Sequence, residues 1–229
     1  MSRAIFKIRG TSNTVILFTD TQVNSTQGSS VTFSNVNVGG GGNRIIIVGV
    51  TVKRDGNDNG ASTTITVGGI NCPQRLQLDQ NLSGNSIHSA IYSVALTSQT
   101  GNVDIVIQGN VAPQSWGMSV VILRNLSSPV PTDTATKKNE GSSSLTTTTT
   151  LEGTAGGFVV GLSNHHGRTR SQTWGNLMTE RSDLLTGSGS TDHRHSAAYD
   201  LIPAGRGAAN EVISSIRTSK YILLTAAFR

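Results

Sequence analysis

The feature that most limits what this chain can become is a set of short β-branched blocks that recurs in the same order. Phe158-Val159-Val160-Gly161-Leu162 answers Ile46-Ile47-Val48-Gly49-Val50. Thr173-Trp174-Gly175-Asn176-Leu177 answers Thr66-Val67-Gly68-Gly69-Ile70, and Ser196-Ala197-Ala198-Tyr199-Asp200-Leu201 answers Ser89-Ala90-Ile91-Tyr92-Ser93-Val94. Glu211–Ile216 answers Asp104–Gln108, and Tyr221–Arg229 answers Trp116–Arg124. The offset between matched positions drifts from 112 at the first pair to 105 at the last. A period near 107 is too long for a solenoid unit.

The blocks themselves read as strands. Val31–Val38 alternates apolar and polar with period two, as a half-buried strand does, and Thr63–Val67 does the same before the turn at Gly68-Gly69. Ile45–Val50 is apolar throughout, which fits a central strand covered on both faces. His88–Ala95, Val103–Ile107 and Trp116–Leu123 complete a first module over 30–126. A second module spans 144–229 and opens on the Thr-rich strand Ser144–Leu151; residues 127–143, with Pro129, Pro131 and Lys137-Lys138, read as the crossover.

One module has about five strands, and its apolar face needs a cover. The expectation is a β-sandwich of two antiparallel sheets, each drawing strands from both modules. Residues 1–29 have no counterpart in the second half. Arg3–Arg9 and Thr14–Thr19 read there as two strands of an arm that pairs with a neighbouring subunit or the underlying shell. The run Thr146–Thr150 carries hydroxyls on both faces, which suits a sheet edge or an oligomer contact better than a dry core.

Composition narrows the function. The net charge is +5, but Lys and Arg stand singly apart from Lys53-Arg54 and Lys137-Lys138, and only 4% of residues are aromatic. A nucleic-acid binder clusters its cations and interleaves aromatics for stacking, so no nucleic-acid partner is expected. Cys72 is the single cysteine, so no intramolecular disulfide forms. No apolar run approaches the roughly 18 residues of a membrane span. Met1–Arg9 is too short and too charged for a signal peptide, which points to synthesis in the cytosol.

Candidate chemistry is sparse. Asp55-Gly56-Asn57-Asp58-Asn59-Gly60 has the D-x-N-x-N-G opening of a calcium loop, with Asp55, Asn57 and Asn59 as oxygen donors, but the place of the bidentate Glu holds Thr66. His165, His166, His193 and His195 gather in what read as two loops of the second half. A His-x-His pair on an extended segment points both imidazoles to one side, a geometry suited to zinc, iron or nickel, especially on a threefold axis. No Cys, Asp or Glu completes that set at a recognisable spacing. Trp116 and Trp174 each lie in or beside a strand next to glycine; they are candidate sugar-stacking platforms, or packing residues of a sheet face. No Gly-x-Ser-x-Gly elbow, no His-Glu-x-x-His and no close carboxylate pair is apparent, so no enzyme activity is expected.

Taken together, Ile46–Val50, Thr66–Ile70, Ile91–Leu96, Gly101–Ile107, Val120–Leu126, Gly156–Asn164, Thr173–Leu177, Ser196–Leu201 and Ile222–Arg229 form a pattern. It resembles a jelly-roll-like domain of phage virion exterior proteins and of some large bacterial surface proteins. The resemblance covers about 44–229 and is architectural, with no catalytic motif. It implies an all-β, antiparallel, jelly-roll-like β-sandwich of two pseudo-repeated strand modules. It also implies a structural exterior component of a virion: a capsid decoration or head-fibre protein, a collar protein or a tail-fibre module. Such a protein is made in the host cytoplasm, needs no cofactor, and assembles as a homo-oligomer, commonly a trimer, against other virion proteins. The competing expectation is a carbohydrate-binding module for host attachment. There, loops at one end of the sandwich and the basic charge favour an anionic host surface polysaccharide.

Overall fold

The computed structural model describes residues 14–25, 27–56, 62–81, 84–139, 146–166, 173–175, 178–186, 193–203, 209–216 and 221–229. Among the described residues there is no helix. The described residues form four antiparallel sheets. Sheet A runs, edge to edge, β1 (Val15–Asn24), β9 (Ser115–Arg124), β3 (Arg44–Asp55), β7 (Asn85–Leu96) and β6 (Gln74–Asn81). Sheet B runs β2 (Ser30–Gly39), β8 (Gly101–Gly109), β4 (Thr63–Val67) and β5 (Ile70–Cys72). Sheet C runs β10 (Asp133–Asn139), β17 (Tyr221–Phe228), β12 (Phe158–His166), β15 (His193–Leu201) and β14 (Thr179–Thr186). Sheet D runs β11 (Thr146–Gly153), β16 (Ala209–Ile216) and β13 (Thr173–Gly175).

The side-chain alternation of β3 shows how these sheets stack. Ile46, Val48, Val50 and Val52 join Phe33, Ile65 and Ile105 of sheet B in one core. Ile45 and Ile47 point the other way, into a second core with Phe158, Val160, Leu162, Ile222 and Leu224 of sheet C. Val159, Ala198 and Ala227 of sheet C meet Leu151 of sheet D in a third. The layers therefore run B, A, C, D. Sheets A and C are covered on both faces, which is why their central strands read as unbroken apolar runs. Each Ile or Val buried this way stabilises the fold by about 1.5–3 kcal/mol over its exposed state.

The β-sandwich expectation holds, but its internal division differs. Among the described residues no sheet mixes the two modules; each half closes a two-sheet sandwich of its own, and the halves then dock face to face. The segment read as an arm supplies β1, an edge strand of the chain's own sheet A paired along β9. Residues 3–9 lie outside the described residues. The segment read as a crossover supplies β10, the edge strand of sheet C paired along β17. With β10 set against β1, the strand order of sheet C repeats that of sheet A, and β11-β16-β13 repeats β2-β8-β4. The partition at 30–126 and 144–229 missed both edge strands because their cross-strand partners lie about a hundred residues away.

Two of the sequence matches are also one residue out. Ile46 pairs with Ile122 and Val94, and Val159 pairs with Ala227 and Asp200. Ile122 and Ala227 correspond at the offset of 105, so Ile46 corresponds to Val159, an offset of 113. The glycines matched by eye face opposite ways. A Cβ on Gly49 would lie 3.1 Å from Leu162 between sheets A and C, whereas one on Gly161 would lie 2.5 Å from Trp174 of sheet D. Tyr92 likewise faces sheet B while Tyr199 faces sheet A. A one-residue slip exchanges the faces of a strand, so identity alone aligned residues that do different jobs.

Candidate functional site

The interface between sheets A and C is apolar at one end and polar at the other. Along β3 the inward positions change from Ile45 and Ile47 to Thr51 and Lys53. The ladder sets Thr51 beside Gly117 and Lys53 beside Ser115 on β9. From the opposite sheet, β15 contributes His193 and His195, β14 contributes Ser182 and Thr186, and β12 contributes Asn164.

Both imidazoles are fully buried. Thr51 Oγ1 lies 3.0 Å from His193 Nε2 and 2.9 Å from His195 Nδ1. His193 Nδ1 is 2.9 Å from Ser115 Oγ and also contacts Thr186 Oγ1. His195 Nε2 bonds Ser119 Oγ, which is 3.2 Å from Ser182 Oγ. Asn164 donates from Nδ2 to His88 O at 2.9 Å and Val52 O at 3.3 Å, across to sheet A. Burial drives the pKa of His195 down to about 3, so that ring is neutral. A neutral imidazole has one donor and one acceptor nitrogen, and a hydroxyl has one proton. The Thr51 hydroxyl has one proton, so it donates to at most one of the two rings.

Close approach makes room for this network. A Cβ on Gly117 would lie 2.6 Å from His195 Cβ and 2.7 Å from Thr51 Oγ1. Only a residue without a side chain lets β9 pass under the imidazole. Between the same sheets, a cavity of about 10 Å³ is lined by Gly49, Ser119, Leu162 and Tyr199 among others. That is about the volume one water needs and far below a ligand pocket.

A second polar chain crosses from sheet A to sheet B. Asp79 Oδ1 lies 2.6 Å from His88 Nδ1, and His88 Nε2 lies 3.1 Å from Thr63 Oγ1. Tyr92 OH contacts Thr63 Oγ1 and donates to Thr63 O at 2.7 Å or Gln74 Oε1 at 3.1 Å. Carboxylate, imidazole and hydroxyl follow in the order of a nucleophile relay. Thr63 is only 4% exposed and His88 1%, so no substrate reaches the hydroxyl in this arrangement. The chain of bonds ties β6 to β7 and one sheet to the other.

The residues singled out from sequence fall differently than expected. His193 and His195 do project to one side, but from the first residues of strand β15 into a closed interface rather than from a loop. Their four ring nitrogens all meet hydroxyls. His165 is buried on the opposite face of β12, beside Tyr221 in the ladder, and so is not brought to the His193–His195 pair. The His166 side chain lies outside the described residues. Among the described residues no three His, Cys, Asp or Glu side chains gather as a metal set. Asp55 ends β3 and is exposed; Asn57 and Asn59 lie outside the described residues. Trp116 is wholly buried in the core between sheets A and B, which removes it as a sugar platform. Trp174 donates from Nε1 to Ser196 Oγ at 2.8 Å and packs against the third core.

Sequence reading missed Thr51, Ser115, Ser119, Asp79 and His88. The available signal was the continuation of the inward face of β3 into Thr51 and Lys53. It marks a buried face turning polar, which requires partners from the facing sheet.

The fold and this interior define an antiparallel, all-β sandwich protein with four stacked sheets and a hydroxyl–imidazole network at its central interface. No family model, curated protein or solved structure matches the chain.

Proposed function

We propose that this chain is a structural exterior component of a bacteriophage virion, of capsid-decoration, head-fibre, collar or tail-fibre type. It acts through protein–protein contacts and performs no catalysis. The observation that carries this reading is where the polar chemistry lies. Among the described residues the imidazoles, and the hydroxyls bonded to them, are enclosed between sheets, while the outer strands of each sheet turn an edge outward. Strand edges are templates for further strands. A rigid stack with many such edges suits assembly better than turnover. Other virion proteins and further copies of the chain are the partners, with no cofactor, nucleic acid or membrane required.

The reading is tested on purified phage particles whose genome encodes the chain. Quantitative mass spectrometry is expected to find it in stoichiometric copy number, and labelling on intact particles is expected to reach it from outside. A chain absent from washed particles, or present only in trace amounts, overturns the reading.

A further inference from the structure

The strand ladder sets two arginines side by side. Arg44 on β3 pairs with Arg124 on β9, two residues beyond the pair Ile46 and Ile122, so both side chains stand on the face that sheet B covers. Like charges directly opposite destabilise a sheet unless something offsets them. No carboxylate does so among the described residues; the guanidinium hydrogen bonds all go to backbone carbonyls. Arg44, only 1% exposed, donates from Nε to Gly41 O at 2.6 Å, from Nη1 to Val38 O and from Nη2 to Gln99 O. Arg124 is partly exposed and donates from Nη2 to Gly40 O at 3.3 Å. Its Nε is buried with no acceptor among the described residues.

Most of these carbonyls belong to the loop at residues 39–42, which joins β2 to β3. Gly39 and Gly41 hold φ of 67° and 91°, which glycine takes without strain. A trans peptide points its N–H opposite to its carbonyl. With the carbonyls of Gly40 and Gly41 drawn toward the arginines, the N–H groups of Gly41 and Gly42 turn outward. Neither meets an acceptor among the described residues. A Cβ at Gly40 or Gly42 would meet nothing within 4 Å, so the outer side of the loop is open. Successive outward amides backed by cations attract an anion. Phe18 of β1 flanks the loop: a Cβ on Gly39 would lie 2.4 Å from its ring, and Phe18 is 36% exposed.

We infer that this loop is a binding site for an acidic saccharide. Its carboxylate or sulfate group rests on the Gly41 and Gly42 amides above Arg44 and Arg124, and its sugar ring lies against Phe18. The acid group supplies the negative charge that the arginine pair lacks. The exposed aromatic ring offers an apolar face to the C–H groups of the sugar. The inference goes beyond the virion reading and does not depend on it.

Calorimetric titration of the full chain at low ionic strength tests it with four probes: a uronic-acid oligosaccharide, its neutral counterpart, inorganic sulfate and a single-stranded oligonucleotide. The acidic oligosaccharide is expected to bind at millimolar concentration or below, and more tightly than the other three. Arg124→Gln is expected to weaken it about tenfold, the worth of one charged hydrogen-bond partner. Phe18→Ala is expected to weaken the oligosaccharide and leave sulfate unchanged. Lys137→Gln removes the same charge from an exposed position on β10 and is expected to change nothing. Circular dichroism and melting confirm that each variant is folded. A wild type that binds no probe overturns the inference. So does an acidic saccharide bound no more tightly than sulfate, or an oligonucleotide bound more tightly than the saccharide. Equal weakening by Lys137→Gln and Arg124→Gln overturns it too, because net charge alone would then draw the ligand. Particle composition is measured separately, so a failed saccharide site and a failed virion assignment are told apart.

Discussion

The hydroxyl of Thr51 lies 2.9 Å from Nδ1 of His195, a residue 144 positions further along the chain. With the 3.0 Å contact to His193, it joins the two halves of the molecule through a buried hydrogen-bond chain. The apolar part of the interface supplies most of the burial. The polar part fixes register, because each donor finds its acceptor only in one alignment of the two sheets.

Acid should weaken this interface. His195 has a folded pKa near 3 against the usual value of 6.5, so the unfolded chain binds the extra proton first. Stability from this group is unchanged above pH 6.5, falls as pH drops through that value, and levels off near 3. The slope in that window is about 1.4 kcal/mol per pH unit. Urea midpoints at pH 7.5, 6, 5 and 4 measure it; a His195→Gln variant should show a shallower decline. Equal slopes for the two proteins would remove His195 as the cause.

Gly117→Ala should be costly. Its Cβ would sit 2.6 Å from His195 Cβ, and the strand beneath cannot move without disturbing the core on its other face. A loss of about 3 kcal/mol is expected. Gly40→Ala meets nothing within 4 Å and should change stability by less than about 0.5 kcal/mol. Chemical denaturation of both variants decides whether tight packing at Gly117 is real.

The relay of Asp79, His88 and Thr63 should behave as a structural tie. Asp79→Asn and Thr63→Val are each expected to destabilise by about 1–3 kcal/mol. Their double variant should lose less than the sum, since both act through His88. Strict additivity would show that the bonds do not form one chain. Hydrolysis of activated esters by the wild type, lost in Thr63→Val, would instead assign the hydroxyl a catalytic role.

Cys72 should be inert in the folded protein. It is buried, and burial pushes its thiol pKa up to about 12, so almost no thiolate exists at neutral pH. Labelling by a thiol reagent should be negligible in native buffer and complete in denaturant. Rapid native labelling at pH 7 would contradict the packing of β5 beneath sheet A.

Removal of residues 1–24 should lower stability rather than leave the domain untouched. Leu17 packs on the core between sheets A and B, and Ile16 on the core between sheets A and C. Partial burial of these two side chains contributes about 1–3 kcal/mol, apart from the ladder with β9. A truncated chain that melts with the wild type would mean that β1 is a detachable arm.

Local sequence determined the strands of the cores. Period-two alternation at Val31–Val38, the unbroken run Ile45–Val50 and the glycine turn at Gly68-Gly69 are set by residue type within a few positions. Four strands escaped this reading: β5, β6, β10 and β14. β6, β10 and β14 are edge strands rich in Gln, Lys, Thr or Asp, with too few apolar residues to show a period. Tertiary structure alone decided what covers each face. Period two says that a strand has two sides, not whether Thr51 and His195 will meet across one of them. That choice is made by pairings between residues a hundred or more positions apart, where a slip of one residue would turn every inward side chain outward.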